Sequence, residues 1–335
     1  MTITVSDLGL CFYIYVKIYQ TGYTMLFVLI LVTFIMSTNA EGNKNCTVRR
    51  HKDSDVDIYC FPQQMQLDGG EIPLAGDVTA DRIFLHLVEV KGKIVETSFS
   101  NLKEVTHILL YGCNLTEAIF PELPKIYYLE MVRTILPTIS KETFKNLKGI
   151  KRMGIGKNEA KIQDGAFDEL ENLEFLTFFK QNITFSKDFL KGLKNLKELR
   201  MEYAGIETVP EDSFKETPEL KILNLDGNSI EYLAPGTLEP LQNLKEFYVT
   251  LTNLKSFDIN LLKEQNTLKA LGIPVRTLQS VNFKKLLELC PKLDTIRFKS
   301  NDVECPEVKD LEEQFKKDNI PIKLTYTGTT DLKTC

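Results

Sequence analysis

The chain has 335 residues, of which 43% are hydrophobic and 26% are charged, so its composition is that of a globular protein rather than a disordered one. Its formal net charge of −5 gives no support for a nucleic-acid partner. Tryptophan is absent, and only three histidines are available for catalysis or metal binding.

An export signal is predicted near the N-terminus. Residues 26–36 form an apolar run, and the Thr-Asn-Ala sequence at 38–40 is a suitable cleavage site. Residues 1–24 fit a signal peptide poorly, which makes Met25 the better start. Residues 1–40 are therefore assigned to the signal region. The alternative is an uncleaved signal anchor, although the run is short for a membrane span.

Later features of the chain also favour export. No later segment is apolar enough to cross a membrane, and the polar residues 331–335 do not form a lipid-anchor tail. Three N-glycosylation sequons begin at Asn45, Asn114 and Asn182. The mature chain is therefore expected to be secreted and extracellular, with no stable membrane span after signal cleavage.

Residues 41–79 are predicted to form an N-terminal cap. They contain Cys46 and Cys60, and an exported protein can form disulfides. A hairpin closed by a bond between these two cysteines would cover the apolar edge of the repeats that follow. Closing this small loop stabilises the fold by about 3 kcal/mol according to the chain-entropy account.

Residues 80–304 contain about ten copies of the pattern LxxLxLxxNxL, numbered here as positions 1 to 11. The two most regular copies begin at Leu196 and Leu220, 24 residues apart (220 − 196). The apolar positions 1, 4, 6 and 11 are expected to face inward. Position 9 is asparagine at Asn158 and Asn228, where the side chain is expected to cap a turn.

This repeat resembles that of the extracellular leucine-rich repeat proteins of animals. The resemblance implies an α/β solenoid, a horseshoe in which each repeat adds one short strand to a parallel sheet on the concave side. Successive strands lie about 4.8 Å apart, so ten repeats would give a concave arc of roughly 45 Å. The outer segments cover the other face of the sheet.

The repeat positions also bear on the remaining cysteines. Cys113 occupies position 9 of its repeat, whereas Cys290 ends an outer segment many repeats away. Because a disulfide requires Cα atoms within about 7 Å, these two should not pair, and both are expected to be buried thiols.

Residues 305–335 are predicted to form a C-terminal cap. An amphipathic helix over 307–318 places Val308, Leu311 and Phe315 on one face, and an edge strand follows over 320–324. A Cys305–Cys335 disulfide is expected to tie the tail over the last repeat. The alternative pairs Cys290 with Cys305 or with Cys335.

The concave face is predicted to bind the ligand, because positions 2, 3, 5, 7 and 8 project from the sheet into the hollow. Arg133, Lys157 and Lys180 occupy position 8 in three successive repeats, which favours an acidic partner. Tyrosine and arginine are frequent in interface hot spots. The predicted ligand-binding residues are Tyr128, Arg133, Arg152, Lys157, Phe175, Phe179, Lys180, Arg200, Tyr203 and Tyr248.

The alternative interpretation is that the lysines are ordinary surface residues and that the rings pack on one another. The sequons limit where a partner can approach. Asn114 and Asn182 both occupy position 10, so their sugars would share one edge of the solenoid. Close protein contact would then use the hollow or the opposite edge.

No catalytic motif is recognised. His51, His86 and His107 are separated by chain and register, and none lies in a metal-binding spacing such as HExxH. The GxSxG, P-loop and dinucleotide-binding patterns are also missing. The chain is therefore predicted not to be an enzyme and to need neither metal nor cofactor.

The end of the chain resembles the secreted leucine-rich immune proteins of insects, including those of mosquitoes. The residues that carry this resemblance are Asn301, Cys305, Val308, Leu311, Ile320, Ile322 and Cys335. It implies a role in innate immunity, with complement-like factors or pathogen surface molecules as protein partners. The chain lacks the adjacent cysteine pair and the coiled coil of the long members, so it would correspond to a short form.

Two other functions stay open. A cell-surface adhesion or receptor-type module would need attachment to a membrane, and retention of the expressed chain on cells would favour it. A secreted inhibitor or carrier would wrap a single protein. Induction of the transcript on infection would favour the immune function over both.

Overall fold

The computed structural model describes residues 13–15, 29–32, 46–51, 54–61, 66–74, 78–158, 160–278, 280–299 and 305–327. The chain divides into two compact units, Met1–Asn43 and Lys44–Cys335. In the first unit, β1 (Tyr13–Tyr15) pairs antiparallel with β2 (Leu29–Val32). The predicted cleavage site at 38–40 lies outside the described residues.

The N-terminal cap is an antiparallel hairpin. Strand β3 (Thr47–Arg50) pairs with β4 (Asp55–Cys60). A disulfide joins Cys46 to Cys60, with their Cα atoms 4.6 Å apart. The predicted hairpin and its disulfide are both confirmed.

The repeats build one long sheet along the concave side. It is 13-stranded, and within the described residues ten of its strands come from the repeats. In chain order they are β6 (Arg82–Val88), β8 (His107–Tyr111), β10 (Tyr128–Val132), β12 (Arg152–Gly156), β14 (Phe175–Phe179), β15 (Glu198–Glu202), β16 (Ile222–Asn224), β17 (Glu246–Tyr248), β18 (Ala270–Gly272) and β19 (Thr295–Lys299). The hairpin extends the sheet at one end, and β20 (Lys323–Thr327) extends it at the other.

The repeat strands are parallel, and neighbours pair without a shift. Equivalent positions of successive repeats therefore stack in straight columns across the sheet. The columns fix which side chains can meet. The predicted solenoid with a parallel concave sheet is confirmed.

Short elements cover the outer side of the sheet. The strands are β5 (Leu67–Asp68), β7 (Lys91–Ile94), β9 (Asn114–Ala118), β11 (Thr138–Ile139) and β13 (Lys161–Ile162). The helices are α1 (Lys141–Phe144), α2 (Val275–Leu278), α3 (Phe283–Leu289) and a 3-10 helix over Ile259–Leu262. None of these helices is long and apolar enough to cross a bilayer, and the same holds for every other helix in the described residues.

The hydrophobic core lies between the sheet and these outer segments. In the seventh repeat Leu220, Leu223, Leu225 and Ile230 are 0% exposed, which confirms that positions 1, 4, 6 and 11 face inward. A row of contacting phenylalanine rings continues the core through the outer segments. They are Phe120, Phe144, Phe167, Phe189, Phe185 and Phe214. Each repeat depends on its neighbours for this burial.

In the C-terminal cap, helix α4 spans Cys305–Asp318 and so begins two residues before the predicted start. Val308, Leu311 and Phe315 are buried, as their spacing predicted. The ring of Phe315 packs edge-on against Phe283 of α3, with centroids 4.6 Å apart. The helix therefore covers the apolar edge of the array.

The edge strand after this helix begins later than predicted, at Lys323 instead of residue 320. Asn319 has a left-handed φ of 53°, and the N–H of Ile320 donates to the carbonyl oxygen of Phe315. These two residues therefore belong to the turn that ends the helix. Pro321 has no N–H for the sheet, so strand pairing starts beyond it.

Cys113 and Cys290 are free thiols and are fully buried. Their predicted lack of a mutual bridge is confirmed, and the alternative pairing of Cys290 is wrong. Burial raises the pKa of Cys113 to about 11 and that of Cys290 to about 12, so both stay protonated. The predicted Cys305–Cys335 bond lies outside the described side chains.

Candidate functional site

The turn that ends each strand fixes the direction of position 8. Arg133, Lys157, Lys180 and Tyr203 all have left-handed backbones, with φ between 49° and 55°. Their N–H groups donate to the carbonyl oxygen at position 7 of the next repeat, at 2.9 to 3.0 Å. Because each of these residues has the same left-handed conformation and the same backbone hydrogen bond, the four side chains leave the solenoid in one column.

Asparagine at position 9 supports this column from the core side. The Nδ2 of Asn158 donates to the carbonyl oxygen of Met131 at 3.0 Å, and its Oδ1 accepts the N–H of Thr134 at 2.7 Å. Asn228 bonds four backbone groups in the same way. The predicted capping of the turns by position 9 is confirmed.

Aromatic rings lie between the cations of position 8. The guanidinium of Arg133 lies 5.8 Å from the ring centroid of Tyr111, and its Nη1 donates to the Tyr111 hydroxyl at 3.0 Å. The Nζ atoms of Lys157 and Lys180 lie 5.8 and 5.6 Å from the ring centroid of Phe179. Such contacts hold a cation against a ring face.

Tyr203 closes this set, since the Nζ of Lys180 lies 5.8 Å from its ring. We call the set the cation–aromatic band. It consists of Tyr111, Arg133, Lys157, Phe179, Lys180 and Tyr203. Tyr203 is 39% exposed and Phe179 is 9% exposed, so Tyr203 is the more accessible of these two rings.

The cations of the band are close enough to repel one another. Burial lowers the pKa of Lys157, and the charges of Arg133 and Lys180 lower it further. In the described part of the chain, no carboxylate lies within salt-bridge distance of Arg133 or Lys180. Stacked like charges on adjacent strands are destabilising. The band therefore keeps a concentrated positive field.

A second line of predicted residues runs along position 3. The guanidinium of Arg152 stacks on the ring of Phe175, 3.9 Å from its centroid. Tyr128 lies on the other side of Arg152 in the pairing of the strands. The Tyr128 hydroxyl donates to Glu130 at 2.7 Å, which fixes the position of the ring on the sheet. This line crosses the same repeats as the band.

The other two predicted residues lie outside both lines. Arg200 pairs with Glu198 and lies near Glu202, so its charge is neutralised within the sheet. Tyr248 is 1% exposed, and the guanidinium of Arg297 covers its ring, 3.2 Å from the centroid. Eight of the ten residues thus fall in two lines across the same repeats, while these two belong to a neighbouring cluster of ion pairs.

The three histidines lie closer together than the sequence predicted. The Nε2 atoms of His51 and His86 lie 2.6 and 3.1 Å from the two oxygens of Asp57. His107 is on the next strand, with its ring stacked on Phe84 at 4.2 Å. The prediction that the three histidines are far apart was wrong, because β4, β6 and β8 are neighbouring strands of the sheet.

The contacts within this cluster are electrostatic. Burial by itself raises the pKa of Asp57, but hydrogen bonds and charges from His86 and His51 outweigh it and hold the pKa below its usual value. No group of three or more metal-ligating side chains in the described residues is arranged to hold an ion. The cluster joins the cap to the first repeat.

His107 should make stability depend on pH. Burial, with a smaller effect of the Arg82 charge, lowers the pKa of His107 from 6.5 to about 4. Between these values the unfolded chain binds more protons, so the free energy of unfolding should fall as the pH drops from about 6.5 to 4, by about 1–2 kcal/mol. Urea unfolding of His107→Phe at several pH values should show a flatter profile.

Tyr127→Phe is the matched control for this experiment. The Tyr127 ring lies 5.7 Å from His107, and this substitution leaves the imidazole in place. Its profile should follow that of the unaltered chain. If His107→Phe keeps the full slope, the titrating group lies elsewhere.

Comparisons with known proteins agree with the repeat fold. Residues 92–197 match the family described as "BspA type Leucine rich repeat region (6 copies)", and residues 194–254 match "Leucine rich repeat". Toll-like receptor 3 of Boselaphus tragocamelus is 28% identical over 188 residues, which are 51% of this chain and 20% of the receptor. Keratocan of Gallus gallus is 24% identical over 178 residues, 51% of this chain and 46% of keratocan.

The chain thus spans about a fifth of the receptor and less than half of keratocan. Among solved structures, it is similar to a chain of the octameric complex of Latrophilin 3 (Lec, Olf), Unc5D (Ig, Ig2, TSP1) and FLRT2 (LRR). The TM-score is 0.60 at 19% identity, and the match covers 84% of this chain and 92% of the other. The two family matches together show that residues 92–254 carry leucine-rich repeats, and the solved structure shares the solenoid fold.

Proposed function

We propose that this chain is a secreted binding protein of innate immunity that recognises an acidic protein or pathogen-associated partner through its concave face. The cation–aromatic band is the observation that carries the proposal. It places three cations of successive repeats beside aromatic rings at the ends of adjacent strands, and arginine and tyrosine are enriched in interface hot spots. The similarity to Toll-like receptors and the resemblance to insect immune proteins favour the immune setting.

The two lines of residues suggest the size of the contact. Arg133, Lys157 and Lys180 follow one another at the strand spacing, so they span about 10 Å across the sheet. Arg152 and Phe175 lie five positions earlier along their strands, roughly 16 Å away. An acidic segment lying in the hollow would contact both lines. The field of the band would raise its rate of association, with a strong dependence on salt.

The sequons set the direction of approach. Asn114 and Asn182 are exposed, and Asn182 follows Lys180 by two residues. Sugars on these residues would therefore border the band on its outer side. A partner would reach the band from the hollow. Asn45, the third predicted glycosylation site, lies outside the described residues.

Charge reversal tests the band directly. The variant Arg133→Glu, Lys157→Glu, Lys180→Glu should bind a polyglutamate probe at least about tenfold more weakly than the unaltered chain. It should also capture less partner from body fluid. Binding can be measured by surface plasmon resonance on the tagged mature chain. Circular dichroism would verify that the variant is folded.

A matched control carries the same change in charge at exposed lysines of the outer side, with Lys187, Lys215 and Lys284 each replaced by Glu. This control should keep most of the binding. Equal weakening in the two variants would mean that net charge, and not the band, attracts the probe. Unchanged binding by the folded band variant would remove the band from the site.

A further inference from the structure

A second charged feature lies at the other ends of the strands. Lys197, Lys221, Lys245 and Lys269 occupy position 2 in four successive repeats, and each is 24 residues from the next (221 − 197, 245 − 221, 269 − 245). We call them the lysine ladder. In the repeat before the ladder and in the repeat after it, position 2 is acidic, at Glu174 and Asp294.

The backbone holds the ladder straight. The N–H of Lys221 donates to the carbonyl oxygen of Lys197 at 2.8 Å. Lys245 donates in the same way to Lys221, and Lys269 donates to Lys245, each at 2.8 Å. The four residues are therefore successive rungs of a single hydrogen-bonded ladder. At the spacing of neighbouring strands, they form a line of about 15 Å.

Most of this charge is not neutralised. Lys197 pairs with Glu174 at 2.6 Å. For the other three lysines, the structure places no carboxylate of the described residues within salt-bridge distance. Lys245 and Lys269 are exposed to solvent, and Lys221 is half-buried. Three adjacent ammonium groups therefore share one edge of the solenoid.

Two carboxylates that follow ladder lysines by one residue, Glu198 and Glu246, are engaged by other side chains. Glu198 accepts a hydrogen bond from Arg200 on its own strand. Glu246 accepts one from the Tyr248 hydroxyl at 2.8 Å. Both acids are thus occupied on the concave face. Because like charges on neighbouring strands destabilise a sheet, four lysines in one column oppose stability.

We propose that the lysine ladder binds a linear sulfated polysaccharide. Such a chain carries anionic groups at short, regular intervals along one line, which matches a straight row of ammonium groups. Lysine is a compact point charge that suits tetrahedral anions without the fixed fork of arginine. The predicted sugars at Asn114 and Asn182 lie at the opposite ends of the strands, so they would leave this edge open.

The observations favour a polysaccharide over a nucleic acid. Single strands bind through rings that stack on the bases, and none of the four rungs is aromatic. A duplex carries its phosphates on two strands separated by grooves of about 6 to 12 Å, so one straight row would contact only part of them. The ladder is also independent of the cation–aromatic band, because the two lie at opposite ends of the strands.

The test measures binding of a heparin-derived oligosaccharide of about eight sugars to the tagged mature chain. The variant Lys221→Gln, Lys245→Gln, Lys269→Gln should bind at least about tenfold more weakly near physiological salt. The slope of log affinity against log salt concentration should also fall by about two to three, because three fewer counterions are released. Circular dichroism and thermal unfolding would verify the fold.

Three further measurements decide the interpretation. The control Lys187→Gln, Lys215→Gln, Lys284→Gln should bind heparin almost normally, and equal weakening in both variants would overturn the proposal. A DNA duplex of matched charge should bind more weakly than heparin, and tighter ladder-dependent binding of the duplex would also overturn it. In the charge-reversed band variant, heparin binding should still weaken when the ladder lysines are replaced by glutamine. This result would separate the proposal from the concave-face function.

Discussion

Replacing Asn228 by alanine should lower the free energy of unfolding by about 3–5 kcal/mol. Its side chain is 4% exposed. The Oδ1 accepts the N–H groups of Ala204 and Ile206 at 2.9 and 3.1 Å. The Nδ2 donates to the carbonyl oxygens of Met201 and Leu225, both at 2.7 Å. Alanine would leave these buried groups without this partner, at about 1–3 kcal/mol for each group that stays unsatisfied.

Asn195→Ala is the matched control, because it removes the same atoms from an exposed asparagine. The Nδ2 of Asn195 donates to one carbonyl oxygen, that of Glu171, at 2.9 Å. Its loss should cost no more than about 1 kcal/mol. Urea unfolding followed by circular dichroism gives both values. Similar losses for the two variants would contradict the structural role of position 9.

Replacing Gly92 by alanine should destabilise the junction between the cap and the repeats by about 2–5 kcal/mol. Gly92 has a φ of 128°, and an added Cβ would lie 1.8 Å from the carbonyl oxygen of Leu67. This oxygen belongs to the backbone of the paired strand, so one of the two strands must move. The loss combines an unfavourable backbone conformation with overpacking.

Gly236→Ala separates these two contributions. Gly236 also has a positive φ, 84°, but its added Cβ would meet only the side chain of Glu239, at 3.6 Å or more. It should therefore cost about 1–2 kcal/mol, from the backbone alone. Hydrogen exchange should show early opening of β5 and β7 only in Gly92→Ala. Equal costs and equal exchange would contradict a steric role for the contact with Leu67.

The repeat pattern predicted the fold well because it encodes burial. Each strand places positions 4 and 6 into the core, so leucines such as Leu223 and Leu225 reveal the pairing of the strands before any contact is known. The same counting placed Cys113 and Cys290 too far apart to bond. The cap hairpin followed from two cysteines around an alternating strand. In each case one local rule determines the structure.

Side-chain contacts across the columns were harder to predict. Arg297 reaches Tyr248 across one intervening strand, β18, because Gly272 between them has no side chain. A Cβ on Gly272 would lie 2.7 Å from the Tyr248 ring. The sequence predicted Tyr248 as an open ligand contact, since counting positions does not show which neighbour covers a ring. An alignment of position 5 across successive repeats would have shown that a glycine lies between Tyr248 and Arg297.

The histidine cluster was missed for a different reason. Asp57 and His51 belong to the cap, which does not follow the repeat pattern. Its alignment with the first repeat depends on the pairing of β4 with β6, and the pattern does not specify that pairing. The lysine ladder was missed although its positions were available. Its lysines share position 2, whereas the residues predicted to bind a ligand lie at positions 3, 5, 7 and 8.

The two buried thiols imply an order of events when the chain folds under oxidising conditions. In the unfolded chain, Cys113 and Cys290 compete with the cap cysteines for exchange. Closing the loop between Cys46 and Cys60, which are 14 residues apart, is favoured by about 1 kcal/mol over loops several times longer. The cap can therefore oxidise first. Condensation of the repeats then shields the spare thiols, and the native bond is protected from scrambling.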